Sequence, residues 1–235
     1  MNTRIVKKQQ FVLSLGNEQV TVTMQVSRRK SMKLQLNAQG EVEVKIPIGM
    51  AKSQVLAFLT QHHLWLLAQR ERFQEQQQQR TEYLYWLGQR VSLQPSDCDK
   101  LIPQENIWYY PVAWQAEQLL AEVDKYQRAQ AYQEYAHIIQ RWWPHFVSFG
   151  SLPTLRVKKM RTRWGSLSKR GYINLNLALM HLPYELRELV IVHELCHLKY
   201  FDHGAGFKAL MRQCLADVAQ REAELAMWER KVLGY

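Results

Sequence analysis

His193-Glu194-Leu195-Cys196-His197, continued by Leu198-Lys199-Tyr200-Phe201-Asp202-His203, is the stretch on which the rest of the chain turns. On a helix each residue advances about 100°, so His193 and His197 stand about 40° apart on one face, one turn from each other. Two imidazoles so placed can bind one ion. Glu194 falls on the flank of that face, badly placed as a third ligand and well placed to hold a water and take its proton. The bland alternative is a buried helix with two core histidines, which leaves Glu194 unpartnered on an otherwise apolar helix.

His203 needs a further condition. On a straight helix it would lie about 15 Å along the axis from His193, whereas a zinc–nitrogen bond is only about 2 Å. His203 is a ligand only if the helix stops soon after His197 and the chain folds back; otherwise it is a surface turn residue. Asp202, Gly204 and Gly206 supply the turn chemistry. Three neutral histidines and a water would make an open, catalytic zinc site. Leu182-Pro183-Tyr184-Glu185-Leu186 opens the helix with an early proline and an acid in the first turn. Leu186, Val190, His193 and His197 then follow along one face. Cys196 points off that face and reads as core. Glu222 or Glu224, on a later helix, are alternative third ligands. Cys214 or Asp217 are the nearby residues that could close the site into an inert one.

The motifs resemble a known family. Arg161-Thr162-Arg163-Trp164-Gly165-Ser166, Gly171-Tyr172-Ile173-Asn174-Leu175-Asn176, Val192 to Leu198 and Asp202-His203 closely resemble the YgjP-like metallopeptidase-domain family, of zincin type and related to SprT-like and WLM proteases. Ser27-Arg28-Arg29-Lys30 and Val44-Lys45-Ile46-Pro47 add to the likeness. The resemblance implies a zinc-dependent peptidase-like fold with His193, His197 and His203 as ligands and Glu194 as general base. Some relatives act on proteins crosslinked to DNA. The chain departs from the family at Leu167, where cysteine is usual.

Composition sets the frame. With 235 residues, 47% of them hydrophobic, the chain can build one substantial core or two small ones. There are 31 Lys and Arg against 21 Asp and Glu, a formal charge of +10, which suits nucleic acid, anionic lipid or acidic protein surfaces, or is simply a basic surface. Three cysteines make no disulfide framework and suggest a reducing compartment. No apolar run is long enough to span a membrane and no signal peptide is evident, so a cytoplasmic location is expected.

Residues 11 to 47 read as a small antiparallel sheet. Val20, Val22, Met24 and Val26 alternate with polar residues, Lys33–Leu36 and Val42–Ile46 repeat the pattern, and Asn37-Ala38-Gln39-Gly40 is a hairpin turn. Arg28, Arg29, Lys30 and Lys33 are a phosphate-binding cluster or a solvated turn. Met50 to Gln79 reads as one helix with Val55, Phe58, Leu59, Trp65 and Leu66 on its apolar stripe and a polar end. Tyr83–Leu93 is a hairpin around Leu87-Gly88, and Asp97-Cys98-Asp99-Lys100 a loop. Pro111 to Phe149 is helical, broken near Pro144, with Tyr132, Tyr135, Ile138, Ile139 and Trp142 facing a core behind the zinc helix. Phe207 to Val218 is another helix, which continues after a break.

Residues 156–170 carry seven cations and no acid, with Trp164 among them. They can track a single nucleic-acid strand, hold carboxylates of a peptide, or form a wet strand face. Tyr172 to Leu179 alternates as a strand; the resemblance implies a sheet edge to which extended peptides add, against the alternative of an interior strand. Tyr172, Asn174, Asn176, Arg163 and Tyr200 are the candidate substrate contacts, and Tyr200, Tyr172, His181 and Arg163 the candidate oxyanion stabilisers. The expected architecture is α+β: a β-rich region with a following helix over 1–80 and a zincin-like domain over 81–235. The expected function is a Zn2+-dependent peptidase acting on peptides or proteins. Two alternatives stand beside it: a nucleic-acid-associated protein with a structural or inactive zinc site, and a protease acting on DNA-bound proteins.

Overall fold

The computed structural model describes residues 5–15, 18–37 and 40–232. The architecture is α+β, and the chain divides into two compact units, Met1–Gln79 and Arg80–Tyr235.

In the first unit, β1 (Ile5–Leu15) and β2 (Glu18–Ser27) pair antiparallel along their length, and β3 (Lys33–Leu36) pairs with β4 (Val42–Pro47). The sheet order is β1-β2-β4-β3. The sheet is mixed rather than antiparallel, because β4 sits between β2 and β3 and runs parallel to β2, from Val22↔Val42 to Ser27↔Pro47. Alternation names the face a strand buries but not its neighbour, which is why the pattern misleads here. Val20, Val22, Met24, Val42, Val44 and Ile46 share the buried face with Val55, Leu59 and Leu66. Ala38 and Gln39 of the expected hairpin turn lie outside the described residues. Arg28, Lys30 and Lys33 are exposed, and Arg29 bonds the Ser31 carbonyl. The single helix expected from Met50 is two, α1 (Lys52–Gln61) and α2 (His63–Glu82). They part at His62, whose backbone leaves helical geometry and whose Nδ1 bonds the Phe58 carbonyl. Trp65 is exposed rather than part of the apolar stripe.

In the second unit, β5 (Tyr83–Trp86) and β6 (Gln89–Ser96) form the expected hairpin. Its turn residues Leu87 and Gly88 both have positive φ, as a tight I′ turn requires. Their N–H groups donate to the carbonyls of Met180 and His181. A Cβ on Gly88 would lie 2.9 Å from Pro183 Cγ, so the turn lies hard against the start of the histidine helix. β8 (Ile107–Pro111) joins β6 in parallel, with β7 (Ile102–Pro103) at its other side. This pair was not anticipated, although Ile107-Trp108-Tyr109-Tyr110 is rich in strand formers. α3 (Ala116–Trp142) begins five residues later than expected and ends where Pro144 lacks the N–H to continue it. Its Tyr135, Ile138 and Ile139 are buried, while Tyr132 is exposed.

The last part carries a three-stranded sheet in the order β10-β11-β9, made of β9 (Thr154–Lys158), β10 (Gly165–Leu167) and β11 (Tyr172–Asn176). β11 is central, parallel to β9 and antiparallel to β10. It stops at Asn176, and Leu177–His181 is a 3-10 helix. Ile173 and Leu175 on the strand, and Leu177 and Leu179 beyond it, join the largest core with the inner face of α4 (Tyr184–Cys196). α5 (Ala205–Cys214) and α6 (Val218–Val232) complete the unit. No helix among the described residues is long and apolar enough to cross a membrane.

Candidate metal and catalytic site

α4 stops where the sequence says it must. His197 is its last cap, and the N–H groups of Lys199 and Tyr200 both turn back to the Cys196 carbonyl. The following turn is fixed by Asp202, whose Oδ1 accepts from the Gly204 N–H at 3.0 Å. Gly206 lies under the Tyr200 ring, with no room for a Cβ. The chain thus returns His203 to the helix: its Nε2 stands 3.1 Å from His193 Nε2. One nitrogen from each of His193, His197 and His203 lies within 4.8 Å of the other two. Two nitrogens bound to one tetrahedral ion at about 2.0–2.1 Å stand about 3.3 Å apart, so the cluster is near the spacing a shared ion needs.

The surroundings fit a metal. His197 Nδ1 donates to the Tyr200 carbonyl at 2.8 Å, which fixes the tautomer and leaves Nε2 bare. Phe207, in the first turn of α5, sets its ring 4.8 Å from all three imidazole centroids and backs the cluster with an apolar wall. Burial first, then the neighbouring His197 and His203, pushes the pKa of His193 down to about 4, so its ring is neutral. No fourth protein donor joins the three among the described residues. Cys214 is engaged with Cys196, and Asp217 pairs with Arg221 at 2.9 Å. Three such donors with no fourth are the pattern of an open rather than a closed metal site.

Glu194 is buried beside the cluster, at the free edge of β10. In the antiparallel pair of β10 and β11, Asn176 donates to the Trp164 carbonyl and Ser168 to the Tyr172 carbonyl. Residues 164, 166 and 168 therefore turn their backbone polar groups inward, and Gly165 and Leu167 turn theirs outward. The Leu167 N–H bonds the Glu194 carboxylate. Gly165 permits the approach: a Cβ there would stand 2.6 Å from Glu194 Oε1. Burial pushes the Glu194 pKa up to about 7, against the Leu167 N–H and the Arg163 charge, which both act downward. Glu194 Oε2 is buried and has no hydrogen-bond partner among the described residues.

The other site candidates scatter. Asn176 is fully used as a brace: its Nδ2 donates to the carbonyls of Met160 and Arg163, and its Oδ1 accepts from the N–H groups of Met160 and Ala178. Asn174 donates to Ser166 across the sheet, and Tyr172 lies under the Arg156 guanidinium at 3.4 Å. A central β11 has no free edge, so the edge expected there belongs to β10. Tyr200 contributes its carbonyl, to His197. His181 is half-buried, and its Nδ1 is bonded to the Tyr85 carbonyl. Of the four oxyanion candidates, Arg163 is the one whose charge reaches Glu194. Gly165, Leu167 and Phe207 were missed by sequence reasoning. Gly165 carried a signal, since it stands in the quoted Trp-Gly-Ser run; Phe207 reads as ordinary helix core.

This layout defines a class, the metallopeptidases. The chain belongs to the YgjP-like family, whose metallopeptidase-domain model matches residues 30–227. It is a peptidase, a hydrolase of peptides or proteins that works with a metal ion. The metallopeptidase zymogen jannalysin of Methanocaldococcus jannaschii, known from a crystal structure, is similar to this chain at 20% identity over 40% of this chain and 94% of that one, with a TM-score of 0.35. No curated protein matches the chain.

Proposed function

We propose that the protein is a zinc peptidase in which His193, His197 and His203 hold one Zn2+ and Glu194 is the general base. The observation that carries this reading is the convergence of three imidazole nitrogens beside a buried carboxylate oxygen with no partner. Imidazole donors suit zinc. Bound there, zinc supplies Lewis acidity for the scissile carbonyl and makes a water acidic near neutral pH. Glu194 takes the proton of the attacking water at Oε2 and hands it to the leaving amine, while the Leu167 N–H holds the carboxylate in place. The outward N–H and C=O groups of Gly165 and the Leu167 carbonyl offer an extended substrate the ladder positions of a new strand. Arg163 stands just before that strand, and its charge reaches Glu194.

The test is metal content and peptide cleavage measured on wild type, His203→Ala and Glu194→Gln. One zinc per chain, kept in Glu194→Gln but lost in His203→Ala, with cleavage down about 10²–10⁴-fold in Glu194→Gln, is expected. A wild-type protein that neither carries nor takes up zinc would sink the reading.

A further inference from the structure

The cations around the β10 edge carry an inference about the substrate that deepens the proposed function and rests on it. Arg163 immediately precedes β10 and Lys169 follows it by two residues, both exposed. The two thus flank the three-residue strand, Arg163 ahead of it and Lys169 in the Ser168–Gly171 turn that leads into β11. Between them lie Gly165, which adjoins Glu194, and Leu167, which bonds it. Lys169 extends over the Phe201 ring, with its Nζ 5.6 Å from the centroid, on the turn that carries His203. On the same turn Lys199 lies over the rings of Phe149 and Tyr200.

None of these three cations pairs with a carboxylate among the described residues. Two acids of neighbouring elements have partners of their own. Asp202 caps Gly204, and Asp124 holds Lys159 at 2.6 Å and Arg128 at 3.5 Å. No acid occurs anywhere from residue 151 to 171. The edge that would receive the substrate is thus flanked by positive charge at both ends, and the carboxylate beside it is that of Glu194, on which the Arg163 charge acts.

Two occupants suit a cationic edge, an acidic polypeptide or a single nucleic-acid strand. Strand binding without sequence preference relies on aromatic faces open to bases. Within 156–170 the one aromatic, Trp164, is buried in the core, and neighbouring Tyr172 is already covered by Arg156. A peptide needs no such face; it needs free ladder positions, and β10 has them.

We propose that the peptidase prefers acidic polypeptide segments, with Asp or Glu side chains on the two sides of the scissile bond received by Arg163 and Lys169 and the main chain paired to β10. These two residues set specificity.

The experiment compares kcat/KM for peptides of one sequence whose flanking positions are all Glu, all Ala or all Lys, using zinc-loaded wild type, Lys169→Glu and Lys169→Arg. One exposed ion pair is worth at most about fivefold, so the Glu-flanked peptide is expected to exceed the Lys-flanked one by about 10- to 25-fold in wild type. That ratio should shrink in 0.5 M salt, fall about fivefold or more in Lys169→Glu, and hold in Lys169→Arg. Scanning one Glu along the Ala-flanked peptide should locate the Lys169 contact on one side of the cleaved bond. Equal cleavage of all peptides, or a preference that Lys169→Glu leaves unmoved, would overturn the proposal. So would a single-stranded oligonucleotide that blocks cleavage where no acidic preference exists, which would assign the edge to nucleic acid. Cleavage of no peptide at all would overturn the peptidase reading as well; cleavage without preference would overturn this inference alone.

Discussion

Gly165→Ala is the sharpest perturbation this site allows, because the three atoms an added methyl group meets first all belong to Glu194, the proposed base. The added Cβ would stand 2.6 Å from Glu194 Oε1, 2.8 Å from its Cγ and 2.9 Å from its Cδ. Ordinary carbon contacts begin near 3.5 Å, so strand and carboxylate must separate by roughly 1 Å. The near atoms include Cγ as well as the flexible end of the side chain, and Glu194 is on the well-packed α4, so a rotation of the carboxylate does not relieve the contact. If the side chain yields, the base leaves its position against the water; if β10 yields, the Leu167 N–H releases the carboxylate. A misplacement of about 1 Å costs on the order of 10²-fold in rate, or about 2.7 kcal/mol of barrier. Overpacking should cost about 1–3 kcal/mol of stability, and at about 2–4 °C per kcal/mol for a chain of this size the protein stays folded. None of the three atoms nearest the added methyl belongs to a histidine, so metal content should hold. The assay is kcat on a cleavable peptide beside metal content and thermal midpoint. A variant that keeps full metal and more than half of wild-type kcat would refute the claim that the glycine exists to let β10 seat the base.

Two further expectations follow from residues around the site. Asn176→Ala removes four hydrogen bonds that brace residues 160–163 and the 3-10 helix. It should cost about 2–4 kcal/mol, or roughly 5–15 °C in thermal midpoint, with metal retained; a shift under about 2 °C would show the brace to be dispensable. His181 has its pKa lowered by burial, with the Tyr85 hydrogen bond acting upward and the Arg80 charge downward. A histidine held neutral in the fold contributes fully above the unfolded value near 6.5 and loses stability as pH falls below it, by at most about 1.4 kcal/mol per unit. Urea midpoints of metal-free protein from pH 7.5 to 5.5 should therefore fall more steeply in wild type than in His181→Gln, and identical slopes would refute the assignment.

What could be read from the sequence was whatever depends on spacing along one element. The i, i+4 histidines need only helical geometry, and length sets the condition on His203: at about 15 Å along a straight helix it could not join them, so it can only if the turn residues Asp202, Gly204 and Gly206 reverse the chain. The β5–β6 turn was legible for the same reason, since Leu87-Gly88 sits between two short apolar runs. Neighbour relations between elements were not legible. β4 parallel to β2, and β11 between β10 and β9, leave the alternation of every strand unchanged, so no pattern in the residues reports them. That is why the free edge was placed one strand away from where it lies, and why the asparagines of β11 looked like substrate contacts. Trp164 shows the same limit. It interrupts a run of cations, which suggests a stacking platform, but β10 pairs with a buried strand, and the indole goes to the core.

The misplaced edge has a consequence for how the site is coupled. Had β11 been the edge, the substrate strand and Glu194 would have been held by different elements, and tight binding of a peptide would have done nothing to the base. With β10 at the edge, one three-residue strand meets the carboxylate at Gly165 and Leu167 and, on the proposed reading, leaves its remaining outward groups for the substrate. A peptide that pairs with β10 holds the strand that holds the base. Binding energy gathered along the edge is then available to restrain Glu194, so interactions remote from the cleaved bond raise kcat as well as affinity. Peptides shortened at their ends should accordingly lose kcat and not only weaken in KM, the opposite of what a base seated independently of the substrate strand would give.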